Sequence, residues 1–304
     1  MSDWGKGATN NNIGWGQGFN NDVGWGSIYS TSASGDTNIL GLLPDLNFTF
    51  TVNTASTSTG SSTNTQFKLP LVSSFNGITS NVDWGDGSTD VITAFDQTEV
   101  THTYASSGVY EIKISNALRS FRFANAGDRF KMRNISNYGI LDINTDSTFQ
   151  GCENLTQTAT DAPVISSTSL FFTFRNCLLF NGNINNWDVS NITNIGGMFS
   201  NCRAFNQTLA NWNVGNVTTM EITFFQTLVL LNLDVSNWNV SKLRNLNTTF
   251  FLSKANPDVT NWNTPDLTDV RDCFNQATNF DRNMAGWDIA DITNLANFCT
   301  GISL

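Results

Sequence analysis

Enzymes work through side chains that move protons, donate electron pairs or hold metals, and this 304-residue chain carries few of them. His102 is its only histidine. A nucleophile needs an adjacent base, which here would be His102 or a perturbed lysine, and no motif sets a serine or cysteine beside either. Asp83, Asp86 and Asp90 could form a calcium loop. The EF-hand spacing, with glycine at the sixth place and glutamate at the twelfth, is absent, and Asp86 before Gly87 reads as a hairpin turn. The N-terminal glycines lack the Lys-Ser/Thr ending of a phosphate loop. Carboxylate pairs for glycoside hydrolysis assemble from distant positions, so spacing leaves them open, but Asp188, Asp234 and Asp288 occupy turn positions. These residues lead us to expect no enzyme, no cofactor and no metal.

The elements that carry them are organised by a repeat. Tryptophan returns at Trp187, Trp212, Trp238, Trp262 and Trp287, at intervals of 25, 26, 24 and 25 residues. Asn186, Asn211, Asn237 and Asn261 each precede one, and only Gly286 breaks the pattern. Twelve residues after the tryptophan stands Phe199, Phe224, Phe250 or Phe274, with Phe298-Cys299 as the shifted last copy, and the same step backwards gives Phe174 and Phe149. Apolar positions between them lie three apart, as at Val189, Ile192, Ile195 and Met198. Neither a helix, with alternating threes and fours, nor a strand, with twos, has that period. A solenoid does fit, each copy making one coil that buries its apolar side only against its neighbours. Stacked about 4.8 Å apart, like side chains would form ladders. An asparagine buried in each coil would satisfy backbone groups of the bends, which makes Asn186, Asn211, Asn237 and Asn261 structural. Cys152, Cys177 and Cys202 share one coil position, so the cysteines read as a buried thiol ladder rather than a disulfide or metal framework.

The pattern Phe199-x-x-Cys202-x-x-Phe205-Asn206, then Leu209-x-x-Trp212-Asn213-Val214, then Val217-Thr218-x-Met220 and Phe224, closely resembles the BspA-like leucine-rich repeats of the DUF285 type. Such repeats occur in bacterial surface proteins and some phage proteins. Gly151 to Leu155 and Asp161-Ala162-Pro163 resemble their opening copies, and the likeness covers residues 117–304. Leu230-Leu231-Asn232 and Asn256-Pro257-Asp258 stand where Phe205-Asn206 is expected, so a bulge is expected in those coils.

Residues 44–116 read as a small β-sandwich. Val82-Asp83-Trp84-Gly85-Asp86-Gly87 followed by His102-Thr103-Tyr104 and Gly108-Val109-Tyr110 resembles a PKD domain, an immunoglobulin-like module. The resemblance makes Trp84, Asp86, His102, Tyr104 and Tyr110 structural. Residues 117–145 read as an irregular first coil that covers the end of the array.

Residues 1–43 differ from the rest. Trp4, Trp15 and Trp25 sit among glycines and asparagines, and three tryptophans are more than so short a segment buries by itself. An ordered anchor on a partner surface is expected. The segment resembles Gly-Trp-Gly N-termini of virion proteins from tailed phages.

The expected fold class is mainly β: an extended anchor, an Ig/PKD-like sandwich and a leucine-rich-repeat-type solenoid with coils of about 25 residues. A net charge of −10 and 13% charged residues disfavour nucleic acid. No run reaches the ~18 apolar residues of a membrane span, and Met1-Ser2-Asp3-Trp4 lacks a signal-peptide pattern. Together these features lead us to expect a non-enzymatic virion protein, assembled in a host cytoplasm. Residues 1–43 would anchor it to other virion proteins, and the repeats would meet a host glycan or protein, as a homo-oligomer. A bacterial surface adhesin and a tail-spike depolymerase are the alternatives.

Overall fold

Apolar residues alternate between Leu46 and Val52, and a period of two places them on one face of an extended chain. A computed structural model describes residues 45–302. The expectations for Trp4, Trp15 and Trp25 lie outside the described residues. The strands are β1 (Phe48–Asn53), β2 (Gln66–Lys68), β3 (Ser80–Asp83), β4 (Thr89–Ile92), β5 (Thr101–Thr103), β6 (Val109–Asn116), β7 (Leu118–Arg119), β8 (Met132–Asn137), β9 (Leu141–Asp142) and β10 (Thr156–Gln157). The fold is mainly β, and the helical content of the described residues is three 3-10 turns of three residues each.

Phe48, Phe50 and Val52 are buried on β1, and Thr49 between them is only 5% exposed because both faces of this inner strand are covered. The main sheet runs β10-β8-β1-β6-β3-β4, with β2-β5 and β7-β9 as separate pairs. β1 pairs antiparallel with β6 from Phe48 opposite Ile114 to Asn53 opposite Val109. On its other side β1 pairs with β8, which pairs parallel with β10. The sheet and the hydrophobic core continue across the boundary expected at residues 116/117. At the β3–β4 hairpin, Gly85 has φ +80°, and a Cβ there would collide with the Glu111 carbonyl oxygen. Only glycine fits that approach.

Beyond β10 the chain winds in coils joined by single parallel bridges, from Ser169–Asn194 through Asn194–Thr219, Thr219–Asn245 and Asn245–Asp269 to Asp269–Asn294. The backbone explains the apolar steps of three. Met198 N–H donates to Ile195 O, Ser200 N–H to Gly197 O and Cys202 N–H to Phe199 O, so each coil is a run of overlapping three-residue turns. The intervening amides leave the coil: Ile195, Gly197, Phe199 and Asn201 donate to Thr219, Glu221, Thr223 and Phe225 of the next. Two residues per coil hold positive φ, as at Gly197 (61°) and Asn201 (60°), then Ile222 (50°) and Gln226 (54°). These amides point along the axis towards the following coil, while Thr193 and Ala204 N–H donate back to Thr168 O and Leu178 O of the preceding one.

Phenylalanine rings stack through the array, Phe149 on Phe174 (5.5 Å), Phe199 on Phe224 (5.7 Å), Phe224 on Phe250 (5.4 Å) and Phe250 on Phe274 (5.2 Å). Phe121 continues the series to Phe48 of β1 at 5.4 Å. The opening of the array is covered from the other side of the chain than expected. Leu71 bridges Phe121 antiparallel, Val72 N–H donates to Ser120 O and Arg122 N–H to Pro70 O. Thus 118–126 is the first coil, and residues 70–72 cover it. At the two divergent coils Leu230 and Ala255 fill the Phe205 slot, 0% and 1% exposed, with the stack uninterrupted, and the first of them takes up one extra residue between Leu230 and Val235.

Candidate functional site

The tightest grouping of chemistry-bearing side chains surrounds His102. β5 holds it opposite Phe67 of β2, and the β3–β4 turn brings Asp86 and Ser88 to it. His102 Nε2 lies 2.8 Å from Asp86 Oδ2 and 3.4 Å from Ser88 Oγ. A Ser-His-Asp relay uses both ring nitrogens, one toward each partner. Here serine and aspartate share one nitrogen, and Ser88 Oγ donates to Asp86 Oδ1 at 2.5 Å. The cluster is a clamp on the hairpin. Burial pushes the Asp86 carboxyl up, but hydrogen bonds from Ser88 and His102, with the His102 charge, hold it down at about 2.

The other residues of this group close around the clamp. Trp84 stacks on the His102 ring at 4.8 Å, and its Nε1 donates to Asp90 Oδ2 at 2.8 Å. Tyr104 Oη donates to Trp84 O at 3.1 Å, with its phenol pushed up by burial. Tyr110 stacks on Tyr104 at 3.7 Å and donates to Ser106 O.

In the array the tryptophans bond backward as well as stack. Nε1 of Trp212, Trp238, Trp262 and Trp287 donates to the buried carbonyls of Ile184, Leu209, Val235 and Val259 respectively. Trp187 Nε1 has no partner among the described residues, and Ala159 O, which stands at the equivalent spacing, accepts Gln157 Nε2 at 3.1 Å. A difference in stability follows. Trp212→Phe removes one of the two hydrogen bonds at the Ile184 carbonyl, which still accepts Trp187 N–H, and is expected to cost about 0.5–1.5 kcal/mol more than Trp187→Phe, which removes an already unpaired donor. Urea melts of the two variants check it, and equal costs would mean the indole bond contributes nothing.

Asn186, Asn211, Asn237 and Asn261 are exposed, which corrects the expectation of a buried ladder. Each adjoins an inward tryptophan, so its own side chain points out. Bends are satisfied instead one residue after the tryptophan: Asp188 accepts from Ser190 N–H, Asn213 from Gly215 N–H, Asn239 from Ser241 N–H and Asp288 from Ala290 N–H. These are aspartate and asparagine turns, a signal present in the repeat itself. Asn186 alone of the four spans coils through its side chain, Nδ2 donating to Thr160 O at 3.0 Å.

Cys152, Cys177 and Cys202 are fully buried free thiols. Burial pushes all three well above the ordinary thiol range. Cys177 Sγ donates to Phe149 O and Cys202 Sγ to Phe174 O, so they are held as thiols between coils.

Two polar series run along the array, half a coil apart. Thr193, Thr218, Thr268 and Thr293 each donate Oγ1 to a backbone carbonyl of the preceding coil. Asn181 Oδ1 accepts Asn206 N–H, and Asn206 Oδ1 accepts Leu231 N–H. Hydroxyl and amide groups thus repeat at coil spacing on fixed backbone.

Sequence reading missed one feature, the buried ion pair of Asp128 and Lys131, whose side chains are both 0% exposed. Lys131 is one basic residue among several in its stretch, and nothing local marks it.

The chain matches the family described as "Mycoplasma protein of unknown function, DUF285" over residues 118–229, 143–256 and 209–303. The first two matches start 25 residues apart, one period of the coil. No curated protein and no solved structure matches. The matched residues include the parallel-bridged coils, the phenylalanine stack and all five repeat tryptophans, more than half of the chain, and the protein belongs to the DUF285 family.

Proposed function

We propose that this protein is a non-enzymatic, surface-displayed adhesin of the BspA-like type. A solenoid of about 25-residue coils forms the display element, and the PKD/Ig-like module is a spacer continuous with it. The observation that carries this reading is the DUF285 array, along which threonine and asparagine groups repeat at coil spacing. Its occupant would be a glycan or protein of a host surface, held by weak contacts that copies of the chain multiply into avidity. The His102 cluster, tied to its own turn, offers no substrate-facing base, in keeping with a binding role.

A virion protein is the second reading. It rests on residues 1–43 with Trp4, Trp15 and Trp25, and the family match lends it nothing. Gold-labelled antibody against the chain, applied to intact producing cells and to salt-washed particles from their lysate, separates the two. Label on the cell surface is expected. Label confined to particles would overturn the adhesin reading in favour of the virion one.

A further inference from the structure

The outer face of the β2–β5 pair carries a groove of about 600 Å³, away from the coil array. The period of two sets its floor: Phe67 and His102 turn toward the core, so Gln66, Lys68, Thr101 and Thr103 turn out. One wall is residues 95–98, and it is tied down. Gln97 Oε1 accepts the N–H groups of Thr93 and Ala94 at 2.7 and 3.0 Å, Gln97 Nε2 donates to Val91 O, and Asn76 Oδ1 accepts Phe95 N–H. Leu71, Val100 and the partly buried ring of Phe95 supply the apolar part.

The polar groups of the groove select its occupant. Lys68 and Asp96 are exposed and line it together, and neither enters an ion pair among the described residues. An anion drawn to Lys68 would meet Asp96, and a cation drawn to Asp96 would meet Lys68, whereas a hydroxyl donates to the carboxylate and accepts from the ammonium. Thr103 Oγ1 accepts Gln66 Nε2 at 2.9 Å, which leaves its own proton to be donated, and Thr98 and Thr101 add two more hydroxyls. The volume lies within the ~300–1,000 Å³ of small-ligand sites, whose walls combine apolar surface with a few placed polar groups. A sugar ring matches both parts, with C–H faces for Phe95 and Leu71 and hydroxyls for the rest. An extended peptide fits less well, because β5 is three residues long and its Thr101 N–H already donates to Thr98 O. We propose that this groove binds a neutral saccharide. The site stands on its own geometry: the adhesin reading makes this module a spacer, and either can fail without the other.

The test is calorimetric titration of the full chain with lactose, maltotriose and tri-N-acetylchitotriose as neutral probes, 3′-sialyllactose as the anionic one and trialanine as the peptide. Saturable binding of at least one neutral sugar is expected. Asp96→Ala and Lys68→Ala, at exposed positions, should keep the melting temperature and weaken that sugar at least about tenfold, since each removes a charge-assisted hydrogen bond. No saturation by any neutral sugar would overturn the proposal. Affinity unchanged in both variants would place the sugar elsewhere on the chain and overturn it too. So would saturation by sialyllactose or trialanine alone.

Discussion

Phe199→Ala is expected to lower stability by about 3–5 kcal/mol, the range for removing a fully buried phenylalanine. Its ring is 0% exposed and meets Phe205 at 4.2 Å, Phe224 at 5.7 Å, Phe174 at 6.1 Å and Trp212 at 6.2 Å. Backbone bonds between coils run on both sides of it, so the surroundings cannot collapse into the space and the cavity persists. In a stacked array each coil touches only its neighbours. The loss therefore falls on one junction, and hydrogen exchange should show amides of residues 220–276 opening before those of residues 121–176. Phe298→Ala is the comparison. That ring is only partly buried and meets Phe274 edge-on at 67°, so about 1 kcal/mol or less is expected. Urea unfolding of both variants tests the pair, and equal losses would mean that the central stack is not what joins the coils.

That stack was legible because a tryptophan and a phenylalanine return at a fixed interval, and only stacking gives an interval of about 25 residues a physical meaning. The steps of three at Ile192, Ile195 and Met198 also carried real information. They are the signature of overlapping turns rather than of helix or strand. What failed was direction. Asn186 and its equivalents recur as faithfully as the tryptophans, yet recurrence does not say whether a side chain points in, and beside an inward tryptophan it points out. Position within the last copy was ambiguous for a similar reason. The backbone bonds put Phe298 in the place of Cys273 and Cys299 in the place of Phe274, which ends the ring ladder with a thiol. Pairing of β1 with β8 lay beyond reach, because long-range strand partners leave no local pattern.

The buried pair joins those two regimes, since it fixes the turn at residues 128–131 to the loop between β1 and β2. Lys131 Nζ donates to the carbonyls of Ser62, Thr63 and Gln66 and to Ser62 Oγ, between 2.7 and 3.1 Å, with Asp128 Oδ1 at 3.3 Å. Asp128 accepts Ser62 N–H, Ser62 Oγ–H and Lys68 N–H, all within 2.7 Å. Burial pulls the Lys131 ammonium below its ordinary value, while Asp128 pushes it back up. Removing one partner leaves a charge with neither water nor counter-ion, so Lys131→Met or Asp128→Asn is expected to cost about 3–5 kcal/mol. The double variant should cost clearly less than the two losses added, because no bare charge remains in the core. A double-mutant cycle by urea melts measures this coupling. Strict additivity would mean that the two side chains act separately, each through its own bonds to the loop. A cost confined to Lys131→Met would assign the stability to its carbonyl contacts, the bonds that hold residues 62–66 in place.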